Sequence, residues 1–136
     1  MIQMIYGKKG SGKTKRILDM ANDAVQACTG SIAFIDDDNS YMFDLKNQIR
    51  FINASEYAVS NPDMFLGFLK GILASNYDLS LLFVDGFLRI VNAEMVELEQ
   101  FFSYLEKYAD KAGVTLVLSV SGDQDTAPEY VKKYII

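Results

Sequence analysis

Histidine and tryptophan are missing from this chain, and cysteine occurs once in 136 residues. Without histidine there is no imidazole acid–base pair, no Ser/His or Cys/His nucleophilic couple and no histidine metal site. A lone cysteine, Cys28, builds no disulfide framework, which suits a reducing cytoplasm, and its place on an apolar helix face points to packing. No apolar run approaches the roughly 20 residues that span a bilayer. The start also lacks the basic region and long apolar core of a signal peptide. The net charge is −5, against the basic footprint of a general nucleic-acid binder. Charged tracts and low-complexity stretches are lacking as well, while half of the residues are apolar and 12% aromatic. The expectation is one globular domain over residues 1–136.

The informative stretch is the first fourteen residues. Ile2, Met4, Ile5 and Tyr6 read as a short buried strand. They run into Gly7-Lys8-Lys9-Gly10-Ser11-Gly12-Lys13-Thr14, which satisfies G-x-x-x-x-G-K-[ST], the Walker A pattern. Ile17, Leu18, Ala21, Ala24, Val25 and Cys28 then repeat at helical spacing. Gly7, Gly10 and Gly12 let the backbone adopt positive φ and approach an anion without a Cβ in the way. Successive N–H groups, with the positive end of the following helix, form an anion nest. In this reading Gly7 through Thr14 bind nucleotide phosphates, Lys13 reaches the β- and γ-phosphates, and the Thr14 hydroxyl holds Mg²⁺. The plainer alternative is a glycine-rich turn beside a solvated basic patch.

Further along, the first helix is expected from about Lys13 to Cys28, stopped by Gly30 as a C′ residue. Ile32–Ile35 reads as a second strand ending in Asp36-Asp37-Asp38, Tyr41–Asn47 as a helical turn, and Arg50–Asn53 as a weak third strand. Asn61-Pro62-Asp63 starts a helix with apolar positions Met64, Phe65, Phe68, Leu69, Ile72 and Leu73. The continuous apolar run Leu79–Val84 suits a strand covered on both faces. Asn92 is expected to cap a third long helix with a buried face of Met95, Leu98, Phe101, Phe102, Leu105 and Ala109, stopped at Gly113. Val114–Val120 is another buried strand and Pro128–Tyr134 a last short helix. Alternating β and α elements imply a three-layer α/β fold with a parallel sheet, whose ligands sit at the carboxyl ends of the strands.

Four polar groups fall at such ends. Leu81-Leu82-Phe83-Val84-Asp85 has the Walker B form, and Asp85 there holds Mg²⁺ beside Thr14; a turn-forming Asp85-Gly86 pair is the alternative. Hydrolysis needs a group that orients or deprotonates water, and Gly86 stands where many such ATPases keep a glutamate. The substitute is the Asp36–Asp38 run, which reads equally as a solvated turn or cap. Ser119 and Ser121 end the last strand, and of the two Ser121 is favoured as the γ-phosphate sensor. Glu94, Glu97 and Glu99 read as acids at a helix start. Arg16, Arg50 and Arg89 are the only arginines; Arg89 reads as a surface ion pair, with a finger role toward a neighbouring subunit as the other option.

On Gly7–Thr14, Ile32–Asp38, Leu81–Asp85 and Val114–Ser121 the chain resembles the RecA-like P-loop ATPases. The resemblance implies a P-loop NTPase fold with a mainly parallel five-stranded sheet, the final strand between the Walker A and Walker B strands. It casts Asp37 or Asp38 as the water activator beside Lys13, and it selects ATP, since no motif speaks to the base and the N-K-x-D guanine signature is missing. Related cores often assemble into rings or filaments, and the motors among them carry a histidine-containing box that this chain lacks. The expected function is a Mg²⁺-dependent ATP-binding protein with weak or partner-stimulated ATPase activity. The alternatives are a small-molecule or nucleotide kinase and a nucleotide-binding regulatory module without turnover.

Overall fold

The computed structural model describes residues 1–136. Five strands, β1 (Ile2–Gly7), β2 (Ser31–Asp36), β3 (Ile49–Asn53), β4 (Leu79–Val84) and β5 (Thr115–Ser121), form one sheet in the order β1-β5-β4-β2-β3. Every pairing is parallel, rather than mainly so. The last strand therefore lies between β1 and β4. Four helices connect and cover the strands: α1 (Lys13–Ala27), α2 (Pro62–Ser75), the short α3 (Phe87–Val91) and α4 (Glu99–Ala112). No helix is long and apolar enough to cross a membrane.

The period-2 alternation of the strands divides the apolar residues between two cores. One gathers Ile5, Phe34, Phe83 and Val117 against Ile17, Leu18 and Ala21 of α1. The other gathers Met4, Ile35, Val84 and Leu118 against Phe65 and Leu69 of α2, Phe87 of α3 and Phe102 and Leu105 of α4. Both faces of the sheet are thus covered, which is why its strands read as continuous apolar runs. Phe87 is the hinge of the second core, with ring centroids 5.4 Å from Phe65 and 5.5 Å from Phe102.

Several local expectations are corrected. Asn61 does accept a hydrogen bond from Met64 N at 2.8 Å with Pro62 at the first helical position, as its sequence suggests. Asn92, by contrast, caps nothing that follows: at φ 51° it ends α3 in the left-handed region, a conformation asparagine tolerates. A 3-10 turn over Met95–Glu97 intervenes, closed by a capping box between Glu94 and Glu97, and the long helix starts only at Glu99. Gly30 is no left-handed C′ residue, because α1 ends in an extended Cys28. What requires glycine there is crowding: a Cβ on Gly30 would stand 2.4 Å from the Asp78 carbonyl oxygen. The expected turn at Tyr41–Asn47 is a 3-10 turn at Met42–Asp44, and the last helix is 3-10 over Glu129–Tyr134.

Candidate functional site

Strand register assembles a polar row at the carboxyl edge of the sheet. Ile5 is level with Ser119, Val84 with Leu118, Ile35 with Val84, and Asp36 with Asn53. One residue beyond those apolar pairs, Ser119, Asp85 and Asp36 follow one another across β5, β4 and β2. They project toward the face that carries α1, because Val117, Phe83 and Phe34, two residues earlier, lie in the α1 core.

The glycine-rich loop arches over this row. Gly10 and Gly12 take φ 82° and 87°, values that a side chain would strain. Ser11 N donates to Lys8 O at 3.1 Å, which tightens the arch. Gly12 precedes α1 without a side-chain cap, and the first turn of α1 holds no acid. Its leading N–H groups therefore have no side-chain partner at the positive end of a 15-residue helix. Lys8, Lys9, Gly10, Ser11 and Gly12 are exposed, and Lys13 and Thr14 half-buried. Lys13 Nζ donates to Lys8 O at 2.9 Å, so the ammonium lies inside its own loop. Burial lowers the Lys13 pKa and the charge of Arg89 pushes the same way, while Asp85 opposes both. A half-buried cation beside a glycine-rich loop and a helix start is suited to an anion.

Asp85 is the centre of the row. It is 2% exposed, and its two oxygens are divided between partners. Thr14 Oγ1 donates to Oδ2 at 3.0 Å, and Ser119 Oγ donates to Oδ1. Gly86 N in turn donates to Ser119 Oγ at 2.8 Å. Thr14 and Asp85, read from the sequence as metal ligands, are thus in direct contact. Their hard oxygens match the donor set of Mg²⁺. Ser119, rather than Ser121, is the serine that reaches this group; Ser121 is exposed beyond it, level with Gly7.

The three aspartates after β2 have three different environments. Asp36 is 2% exposed, and its Oδ2 has no hydrogen-bond partner. Burial pushes its carboxyl up to about 8, with neighbouring Asp37 and Asp85 adding to the rise, so Asp36 keeps its proton at neutral pH. Burial also pushes Asp37 upward, but hydrogen bonds from Arg89 outweigh it and hold Asp37 below the usual carboxylate range. Arg89 Nε donates to Asp37 Oδ2 at 2.8 Å and Nη2 to Oδ1 at 3.4 Å. Asp38 is exposed and accepts from Ser40 N at 2.8 Å, a turn-capping contact. Arg89 was expected at the surface, and it is exposed, yet its partner is one of the site's own acids.

A second opening, a cavity of about 840 Å³, runs along the outer edge of β3 beside α2, with Asn39, Arg50, Asn53, Tyr57 and Phe68 in its lining. Asn53 Nδ2 donates to Asn39 Oδ1 at 3.2 Å, so this cavity begins where the aspartate turn ends. The chain matches no protein-family model and no curated protein. What can be said of its chemistry rests on the residues themselves.

Proposed function

We propose that the chain is a Mg²⁺-dependent ATP-binding protein of the RecA-like P-loop type, with slow or partner-stimulated ATPase activity. One observation carries this reading: Thr14 and Asp85 meet at 3.0 Å directly beneath the uncapped start of α1. The Walker A pattern at Gly7–Thr14, the positive φ of Gly10 and Gly12, and the position of β5 between β1 and β4 support it. Thr14 and Asp85 would hold the metal, which when bound neutralises charge on the phosphates. The loop N–H groups and Lys13 would take the β- and γ-phosphates, and Ser121 would lie at the rim.

Slow turnover follows from what surrounds the site. Hydrolysis transfers a phosphoryl group to water, and the water's proton must go to a base. Gly86 supplies no carboxylate, Asp36 holds its own proton, and Asp37 is engaged by Arg89. In this reading Asp37 would accept the proton once Arg89 leaves it. A kinase is the second reading, favoured by the cavity that begins at Asn39, where an acceptor could lie.

Equilibrium binding of ATP and ADP with and without Mg²⁺, with phosphate release followed on the same samples, tests the proposal. The expected result is Mg²⁺-assisted binding with slow phosphate release. Phosphorylation of an added nucleoside or nucleotide would favour the kinase.

A further inference from the structure

Arg89 is anchored at its backbone, and its head is exposed and held only by Asp37. Phe87, Ile90 and Val91 of α3 are buried, and Arg89 N bonds to Gly86 O at 3.0 Å. The Arg89 side chain is 58% exposed and that of Asp37 28%. Between backbone and head, the guanidinium crosses Gly86. A Cβ on Gly86 would stand 2.2 Å from Arg89 Nη2, and Gly86 takes φ 69°. The left-handed φ accounts for glycine at position 86, and the bare backbone there lets the arginine lie across it. That arginine lies over the residue next to Asp85, the partner of Thr14, and its charge is felt at Lys13, Asp85 and Asp36. The guanidinium thus lies beside the Thr14–Asp85 group, and its two-pronged contact with Asp37 is one that a phosphate can reproduce with more charge.

We propose that Arg89 recognises the terminal phosphate of a bound nucleoside triphosphate from within the same chain, and that Asp37 holds it off the site until that phosphate arrives. The inference rests on the nucleotide-binding reading above and adds how the site tells triphosphate from diphosphate. An exposed carboxylate–guanidinium pair is worth little in water, so the exchange is inexpensive. Moving Arg89 to phosphate uncovers Asp37, whose carboxylate is then free to face water. Diphosphate leaves Arg89 on Asp37. The two states differ by one guanidinium, and a ligand that distinguishes them shifts the population.

The test is calorimetric binding of a non-hydrolysable ATP analogue and of ADP, each with Mg²⁺, to the full chain and to Arg89→Ala, Arg89→Lys and Asp37→Asn. Arg89→Ala should weaken the triphosphate analogue by about tenfold or more and leave ADP within about twofold. Arg89→Lys should recover part of the loss, since lysine keeps the charge but not the fork. Asp37→Asn should tighten the triphosphate analogue several-fold, because Arg89 no longer has to leave a carboxylate. A merely structural ion pair would make Arg89→Ala and Asp37→Asn change affinity in the same direction, with the triphosphate-to-diphosphate ratio unchanged. That result, with both ligands still bound, overturns the inference alone. Failure of the unaltered chain to bind either ligand overturns the nucleotide-binding reading as well.

Discussion

Thr14 Oγ1 donates a 3.0 Å hydrogen bond to Asp85 Oδ2 across 71 positions of sequence. The first residue ends the Walker A pattern and the second directly follows β4, and only the packing of α1 over the sheet brings them together. Ser119 takes the other oxygen of the same carboxylate. Thr14, Ser119 and Asp85 form a compact oxygen-rich group at the foot of an anion-receptive helix start.

Asp85→Asn removes the charge and keeps the shape. Nucleotide affinity in this variant should no longer improve with Mg²⁺, while the unaltered chain should gain at least about tenfold from the metal. Titration of ATP with Mg²⁺ or with a chelator reads the difference. An unchanged metal effect would remove Asp85 from the metal site.

Asp36 makes stability fall as pH rises. Its carboxyl is ionised above about pH 4 in the unfolded chain and holds its proton to about 8 when folded. The folded state binds the extra proton between those values, so its advantage is full at the acid end and gone above about 8. The charged groups facing Asp36 are Asp37 and Asp85, which add to its rise, and Arg89, whose guanidinium feels the Asp36 charge. Thermal unfolding of Asp36→Asn should show a flatter decline between about pH 5 and 8 than the unaltered chain. Parallel curves would contradict the assignment.

Gly30→Ala should cost about 1 to 3 kcal/mol, since the new methyl meets a backbone carbonyl that cannot swing aside. Gly113→Ala, at φ 72° in open space, should cost about 1 kcal/mol from conformation alone. Denaturant unfolding orders the two; the reverse order would mean that the β2–β4 junction yields.

Much of the fold was readable from local chemistry. Leu79–Val84 has the bounds its apolar run suggests, and Asn61-Pro62 starts a helix for the reason its side chains imply. The misses come from properties that a linear sequence does not hold. Asn92 suits both a helix start and a left-handed stop, and the packing of Phe87 and Val91 selects the stop. Ser119 and Ser121 share a strand face, and only the register of β5 against β4 puts Ser119 on Asp85. The Arg89–Asp37 pair spans 52 positions with no spacing rule to announce it. The loop pattern was legible because its glycines and Lys13 lie within eight consecutive residues, and Asp85 because it ends an apolar strand run; the separate environments of Asp36 and Asp37 and the partner of Arg89 were not, because they depend on tertiary contact.

Binding of ATP with Mg²⁺ to the unaltered chain and to Lys13→Ala, measured by calorimetry, addresses the central claim most directly. Lys13 lies inside the loop on Lys8 O and off the packed cores, so its removal should leave the fold intact. The expected result is saturable binding by the unaltered chain and a loss of about 30-fold or more in the variant, the scale of one desolvated charge-assisted contact. Equal affinity in both proteins, or no binding in either, would contradict nucleotide binding at Gly7–Thr14.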